Sequence, residues 1–120
     1  MTQEEKQLLL KDLCARLPYY TELHSNATDD NWAILTPVIV SNLMNADDDL
    51  VIKPYLRPMS SMTEEEKEEY EMLQVYPGFK TNHTDLTDMY DWLNAHHFDY
   101  RGLIERGLAL EAPEGMYKNE

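Results

Sequence analysis

Residues 32–40 read Trp-Ala-Ile-Leu-Thr-Pro-Val-Ile-Val, and the state of this stretch decides the fold. Its aromatic and β-branched residues favour a strand. Pro37 removes a ladder donor, which places such a strand at an edge or a bulge. The same residues also allow a helix, with Thr36 as its cap and Pro37 in its first turn. The run Val38-Ile39-Val40 weighs against that helix and for the strand. On the N-terminal side, Tyr19-Tyr20-Thr21-Glu22-Leu23-His24 is also β-prone, and turn formers fill 25–31 between the two stretches. On the C-terminal side, Asn45-Ala46-Asp47-Asp48-Asp49 reads as a turn and Leu50-Val51-Ile52-Lys53 as a third strand. Pro54 and Pro58 should hold Tyr55-Leu56-Arg57 extended and away from a sheet interior. The expectation is a small three-stranded antiparallel meander.

Helical patterns flank it. Thr2 with Glu5 is a capping box, and Leu10, Leu13, Cys14 and Leu17 follow at helical spacing, so a helix is predicted over 3–17 with Pro18 as its stop. On this reading Cys14 is a buried structural thiol. Thr63 with Glu66 is a second capping box, opening a helix over 64–74 whose first turn carries Glu64, Glu65 and Glu66. Tyr76-Pro77-Gly78-Phe79 reads as a turn. Thr84 can cap a helix carrying Leu86, Met89, Tyr90 and Leu93 and ending near His96. Asp99 can cap a last short helix over 100–106, closed by Gly107. The fold class is therefore α+β: an N-terminal helix, the meander, then two or three C-terminal helices. Residues 1–112 form one domain, and 113–120 a frayed tail.

The chain has 120 residues, 23 acids against 10 Lys and Arg, a net charge of −13 and a pI near 4.5. Such a chain has no evident basic face to displace phosphate counterions, so direct nucleic-acid binding is not expected. Docking on anionic membranes is disfavoured on the same ground. The charge is uneven: from Leu17 to Ile52 there is no Lys or Arg, and Glu64–Glu71 forms a second acidic block. The opening Met1–Lys6 is acidic and no apolar segment follows, so a secretory signal is not expected and a cytoplasmic location is. One Cys cannot form an internal disulfide. The sequons at Asn26 and Asn82 carry no weight in that setting.

No pattern of residues fixes a reaction. Trp92-Leu-Asn-Ala-His-His-Phe-Asp-Tyr-Arg101 gathers His96, His97, Asp99, Tyr100 and Arg101 within ten residues. Adjacent histidines on a helix point about 100° apart, which suits one metal ion poorly. The simpler reading sets His96 and His97 at a helix C-terminus, where they complement its dipole. Asp47-Asp48-Asp49 lacks the alternating acids, glycine and closing glutamate of a calcium loop. No nucleophile elbow, phosphate loop or dinucleotide fingerprint is present. Lys53-Pro-Tyr-Leu-Arg-Pro58 is either a stiff crossover or a surface strip offering Tyr55 and Arg57.

Ile52–Glu66 and Asp91–Glu105 resemble the two signature segments of a family of small uncharacterised proteins from gut anaerobic bacteria, their phages and mobile elements. Met1–Pro18 resembles that family's opening segment. The resemblance implies a genomic setting and brings no catalytic residues. The expected function is that of a phage or prophage accessory protein, acting in the bacterial cytoplasm by binding a protein partner, without catalysis, cofactor or metal. Its expected surface is Lys53, Tyr55, Arg57, Trp92, His96, His97, Tyr100 and Arg101. One alternative is an acidic DNA mimic that inhibits a host defence or regulatory protein. Another is a small metal-assisted hydrolase using His96, His97 and Asp99.

Overall fold

The computed structural model describes residues 2–46, 49–75 and 87–117. The first capping box forms as expected: the Glu5 N–H donates to the Thr2 hydroxyl at 3.1 Å and the Thr2 N–H to the Glu5 carboxylate at 2.8 Å. Helix α1 runs Gln3–Arg16 and passes into a 3₁₀ turn, Leu17–Tyr19, around Pro18. Its buried stripe is Leu9, Asp12, Leu13 and Arg16, one position behind the expected Leu10, Leu13, Cys14 and Leu17. Cys14 is exposed, a correction to the buried thiol. The cause is a buried ion pair, Asp12–Arg16, which turns the helix so that its charges point inward.

Strand β1, Glu22–Ser25, is flanked on one side by β2, Trp32–Ile34, and on the other by β3, Ile52–Leu56, both antiparallel to it. A two-residue β4, Leu110–Glu111, lies parallel to β3, giving the order β2-β1-β3-β4. The architecture is α+β, and three antiparallel strands are present. They are not a meander, because β1 is central. Strands β2 and β3 are thus parallel to one another, and parallel strands need a crossover. Helix α2, Pro37–Asn45, supplies it. The stretch from Thr36, expected as strand, is this helix: Thr36 caps it by accepting from the Ile39 N–H at 3.3 Å, and Pro37 sits where its missing donor costs nothing. Val40 and Leu43 are buried, with Ile39 packed against the same core. Burial overrides the weak helix propensity of Val38-Ile39-Val40.

Strand β3 runs through Pro54, contrary to the expectation that the strand ends at Lys53. Asn26 N–H donates to the Val51 carbonyl at 3.2 Å, so hydrogen-bonded pairs fall at 26/51 and 24/53. Pro54, opposite Leu23, falls one place past 24/53, in a pair without ladder bonds, and turns its nitrogen away from β1. On that other edge β4 begins only opposite Tyr55. The missing donor therefore meets no acceptor.

The next hydrogen-bonded pair should join Glu22 to Tyr55. Instead the Tyr117 hydroxyl stands between the strands, accepting from the Glu22 N–H at 2.8 Å and donating to the Tyr55 carbonyl at 2.8 Å. Its ring stacks on His97 at 3.7 Å. The segment from Pro113, expected as a frayed tail, is held down by this residue; 118–120 lie outside the described residues.

The sheet buries one face, through Leu23, Ile52 and Leu56, against α1 and α2. A second core gathers Met62, Leu73, Met89, Trp92, Leu93 and Phe98. It lies between α3, Glu64–Val75, and α4, Thr87–Ala95. The second capping box opens α3, with the Glu66 N–H on the Thr63 hydroxyl at 3.2 Å. The expected turn at 76–79, the Thr84 cap, Leu86 and Asp47-Asp48 lie outside the described residues. The expected helix over 100–106 is absent. Asp99 instead accepts from the Leu103 and Ile104 N–H groups at 2.9 and 3.0 Å, holding a chain of turns. Gly107, at φ 73°, closes it with paired bonds from Leu108 to Leu103 and from Gly107 to Ile104.

Tyr117→Phe strands a sheet N–H and a sheet carbonyl. It is expected to destabilise the fold by about 1–3 kcal/mol, read as a lower urea midpoint with an unchanged slope.

Candidate functional site

The two segments singled out in the sequence meet. Arg57 and Phe98 form a parallel bridge, with Arg57 N–H on the His97 carbonyl at 2.7 Å and Asp99 N–H on the Arg57 carbonyl at 2.8 Å. Helix α4 delivers the second segment through a left-handed turn at His97, φ 63°. Phe98 N–H bonds the Leu93 carbonyl and His97 N–H the Asn94 carbonyl, the pattern usually completed by glycine. Phe98, fully buried, packs in the same core as Leu93 and so compensates for the strain.

Most of the side chains face inward. Trp92 and His97 are buried; Arg57, His96, Tyr100 and Arg101 are half-buried. Arg57 grips Glu66 with two bonds of 2.7 and 2.8 Å and lies 4.2 Å over the Phe98 ring. His96 Nδ1 is 3.3 Å from Glu66 Oε2, off the line of a hydrogen bond. Burial lowers the pKa of His96 despite that carboxylate. His97 lies against the Thr21 hydroxyl at 3.3 Å. Its burial, helped by the Arg16 charge, pulls its pKa from 6.5 to about 4. His97 is thus neutral at pH 7 and does not serve the helix dipole as a cation, which corrects the sequence reading.

Behind these residues lies a polar cluster that the sequence reading missed. Asp12 and Arg16, both fully buried, pair through Arg16 Nε at 2.8 Å and Nη2 at 3.0 Å. Arg16 Nη2 also reaches the Phe98 carbonyl at 2.7 Å, while Nη1 finds no acceptor. Arg101 adds a bond to Asp12 at 3.1 Å and another to the Tyr100 hydroxyl, which itself donates to Asn94. A signal existed: Asp12 and Arg16 are opposite charges four apart, beside Leu9 and Leu13.

His96, His97 and Asp99 do not converge. Asp99 spends both oxygens on backbone N–H groups, and His97 is enclosed by Thr21 and Tyr117. Among the described residues no three His, Cys, Asp or Glu side chains are grouped to hold a metal ion. Nor is any helix among them long and apolar enough to cross a membrane.

Lys53 and Tyr55 are placed differently. Both are half-exposed on the sheet face away from α1 and α2, as the alternation of β3 requires. Trp32, Ile34, Glu22 and His24 share that face by the strand register. Trp32 is 42% exposed, its indole N–H held by the Glu22 carboxylate at 2.8 Å. Comparison with protein-family models, curated proteins and solved structures finds no match.

Asp12→Ala leaves the Arg16 charge buried and alone, and is expected to cost about 3–5 kcal/mol in denaturant unfolding. His97, depressed from 6.5 to about 4, contributes stability that is full above pH 6.5 and lost as pH falls toward 4. Stability should drop by on the order of 2–3 kcal/mol over that window. His97→Asn, which tolerates the left-handed backbone, should flatten the drop.

Proposed function

We propose that the chain is a non-catalytic accessory protein of phage or prophage type, acting in the host cytoplasm by docking a partner protein on the open face of its sheet. The observation that carries this reading is that Trp32 and Tyr55 share a sheet face that no helix among the described residues covers. Trp and Tyr anchor interfaces because they bury large area at low entropic cost, and Trp32 is already held in place by Glu22. The partner is basic. The face belongs in part to the chain's Lys- and Arg-free stretch, whose Asp29, Asp30 and Asp49 stand exposed. Among the described residues, five of the seven exposed large apolar side chains, Tyr20, Trp32, Val38, Met44 and Val51, belong to the same stretch. Of the residues expected as the partner surface, Lys53 and Tyr55 remain candidates, and the other six serve the interior.

A photo-crosslinking residue at position 34, in the sheet face, is compared with one at position 68 on the wet side of α3, in host cells. The expected result is a basic protein captured from position 34 and not from position 68. Trp32→Ala and Tyr55→Ala should then weaken its binding by about 30-fold or more, as hot-spot residues do, with the thermal midpoint kept. Capture through α3 alone, of a DNA-binding protein, overturns this reading in favour of a DNA mimic.

A further inference from the structure

The chain holds ten Lys and Arg among 23 acids, so each base has many possible partners. Among the described residues Arg16 and Arg101 pair with Asp12, Arg57 with Glu66, and Lys67 with Glu64. Lys6, Lys11, Lys53 and Arg106 pair with no carboxylate among the described residues. Two of these four, Lys6 and Arg106, line one cleft of about 400 Å³, which β3 borders at Ile52 and Lys53. In so acidic a chain, leaving two cations unpaired at one cleft runs against the overall field.

The cleft lies between the first turns of α1 and the start of β3, where β4 does not yet cover the sheet edge. Leu9, Leu43, Leu50 and Leu108 give it an apolar floor. Glu5 is the one acid among its lining residues, and its carboxylate is already used by the Thr2 N–H. Lys6 touches the Ala46 carbonyl at 3.3 Å, which anchors one bond and leaves its other donors free. Ile52 lies opposite Ser25 in a pair that makes no bonds to β1, so its N–H turns to this uncovered edge. The volume is that of a small-molecule site, which is usually apolar with a few placed polar groups.

We propose that this cleft binds a small amphipathic anion, its carboxylate or phosphate head held by Lys6, Arg106 and the Ile52 N–H and its apolar body laid on the leucines. The site is separate from the docking face and does not depend on it.

The full chain, labelled with nitrogen-15, is titrated with sodium octanoate and with octyl phosphate, and in parallel with 1-octanol and inorganic phosphate. At least one of the two amphipathic anions is expected to bind about tenfold or more tightly than 1-octanol, shifting the Leu9, Ile52 and Gly107 amides. The tighter of the two identifies the head group. Lys6→Gln and Arg106→Gln should each weaken binding about three- to tenfold, and Lys11→Gln, outside the cleft, should not change it. Equal binding of 1-octanol overturns the proposal, since the cations would then be idle. Equal binding of inorganic phosphate overturns it too, since the floor would be idle. So do shifts confined to other regions, or unchanged affinity in the Lys6 and Arg106 variants.

Discussion

A carboxylate and a guanidinium withdrawn from water hold this molecule in its shape. Removing either charge from solvent costs several kcal/mol, and attraction offsets this only when the remaining lone pairs and protons are used. Asp12 and Arg16 nearly meet that demand. Arg16 takes both Asp12 oxygens and the Phe98 carbonyl, and Arg101 closes on Asp12 from the far side. The segment 97–101 must therefore lie on α1, and the left-handed turn at His97 is what brings it there. Once Phe98 is fixed, Arg57 and Glu66 are fixed with it, and the two cores are joined through a single strand-like crossing.

The acidic surplus then divides by task. Asp12, Glu66 and Asp99 are buried and bound, each organising backbone or a cation. Glu5 and Glu66 also close helix caps. In the base-free stretch Asp29, Asp30 and Asp49 stand exposed at the surface. Two unpaired bases, Lys6 and Arg106, instead line a cleft with an apolar floor. Net charge describes neither place; the local sign of each does.

Local signals were legible and spatial ones were not. Both capping boxes and the stop of the first helix at Pro18 follow from neighbouring residues, and they form as read, whereas Gly107 closes a chain of turns and not the expected helix. The α+β class followed from the order of such elements. What failed depended on partners distant in sequence. The helix at Pro37 is stabilised by the core that Val40 and Leu43 enter, and the apolar face of α1 is set by the Asp12–Arg16 pair. Tyr117 gave no sign at all, because its role exists only where Glu22 and Tyr55 have already come together. The candidate site was half legible: 53–58 and 92–101 do adjoin, but their side chains are largely spent on each other and on α1.

The place of Tyr117 has a consequence in time. Strand β3 is complete at residue 56, yet the residues that close its far edge and finish the β1–β3 ladder lie at 110–117. At about 5–20 residues per second, ribosomal synthesis leaves that edge open for several seconds. An open edge invites pairing with a foreign strand. Pro54 faces that edge during the interval and offers no donor to a stranger. The residue that looked like an obstacle to a strand is thus also a guard for the nascent chain.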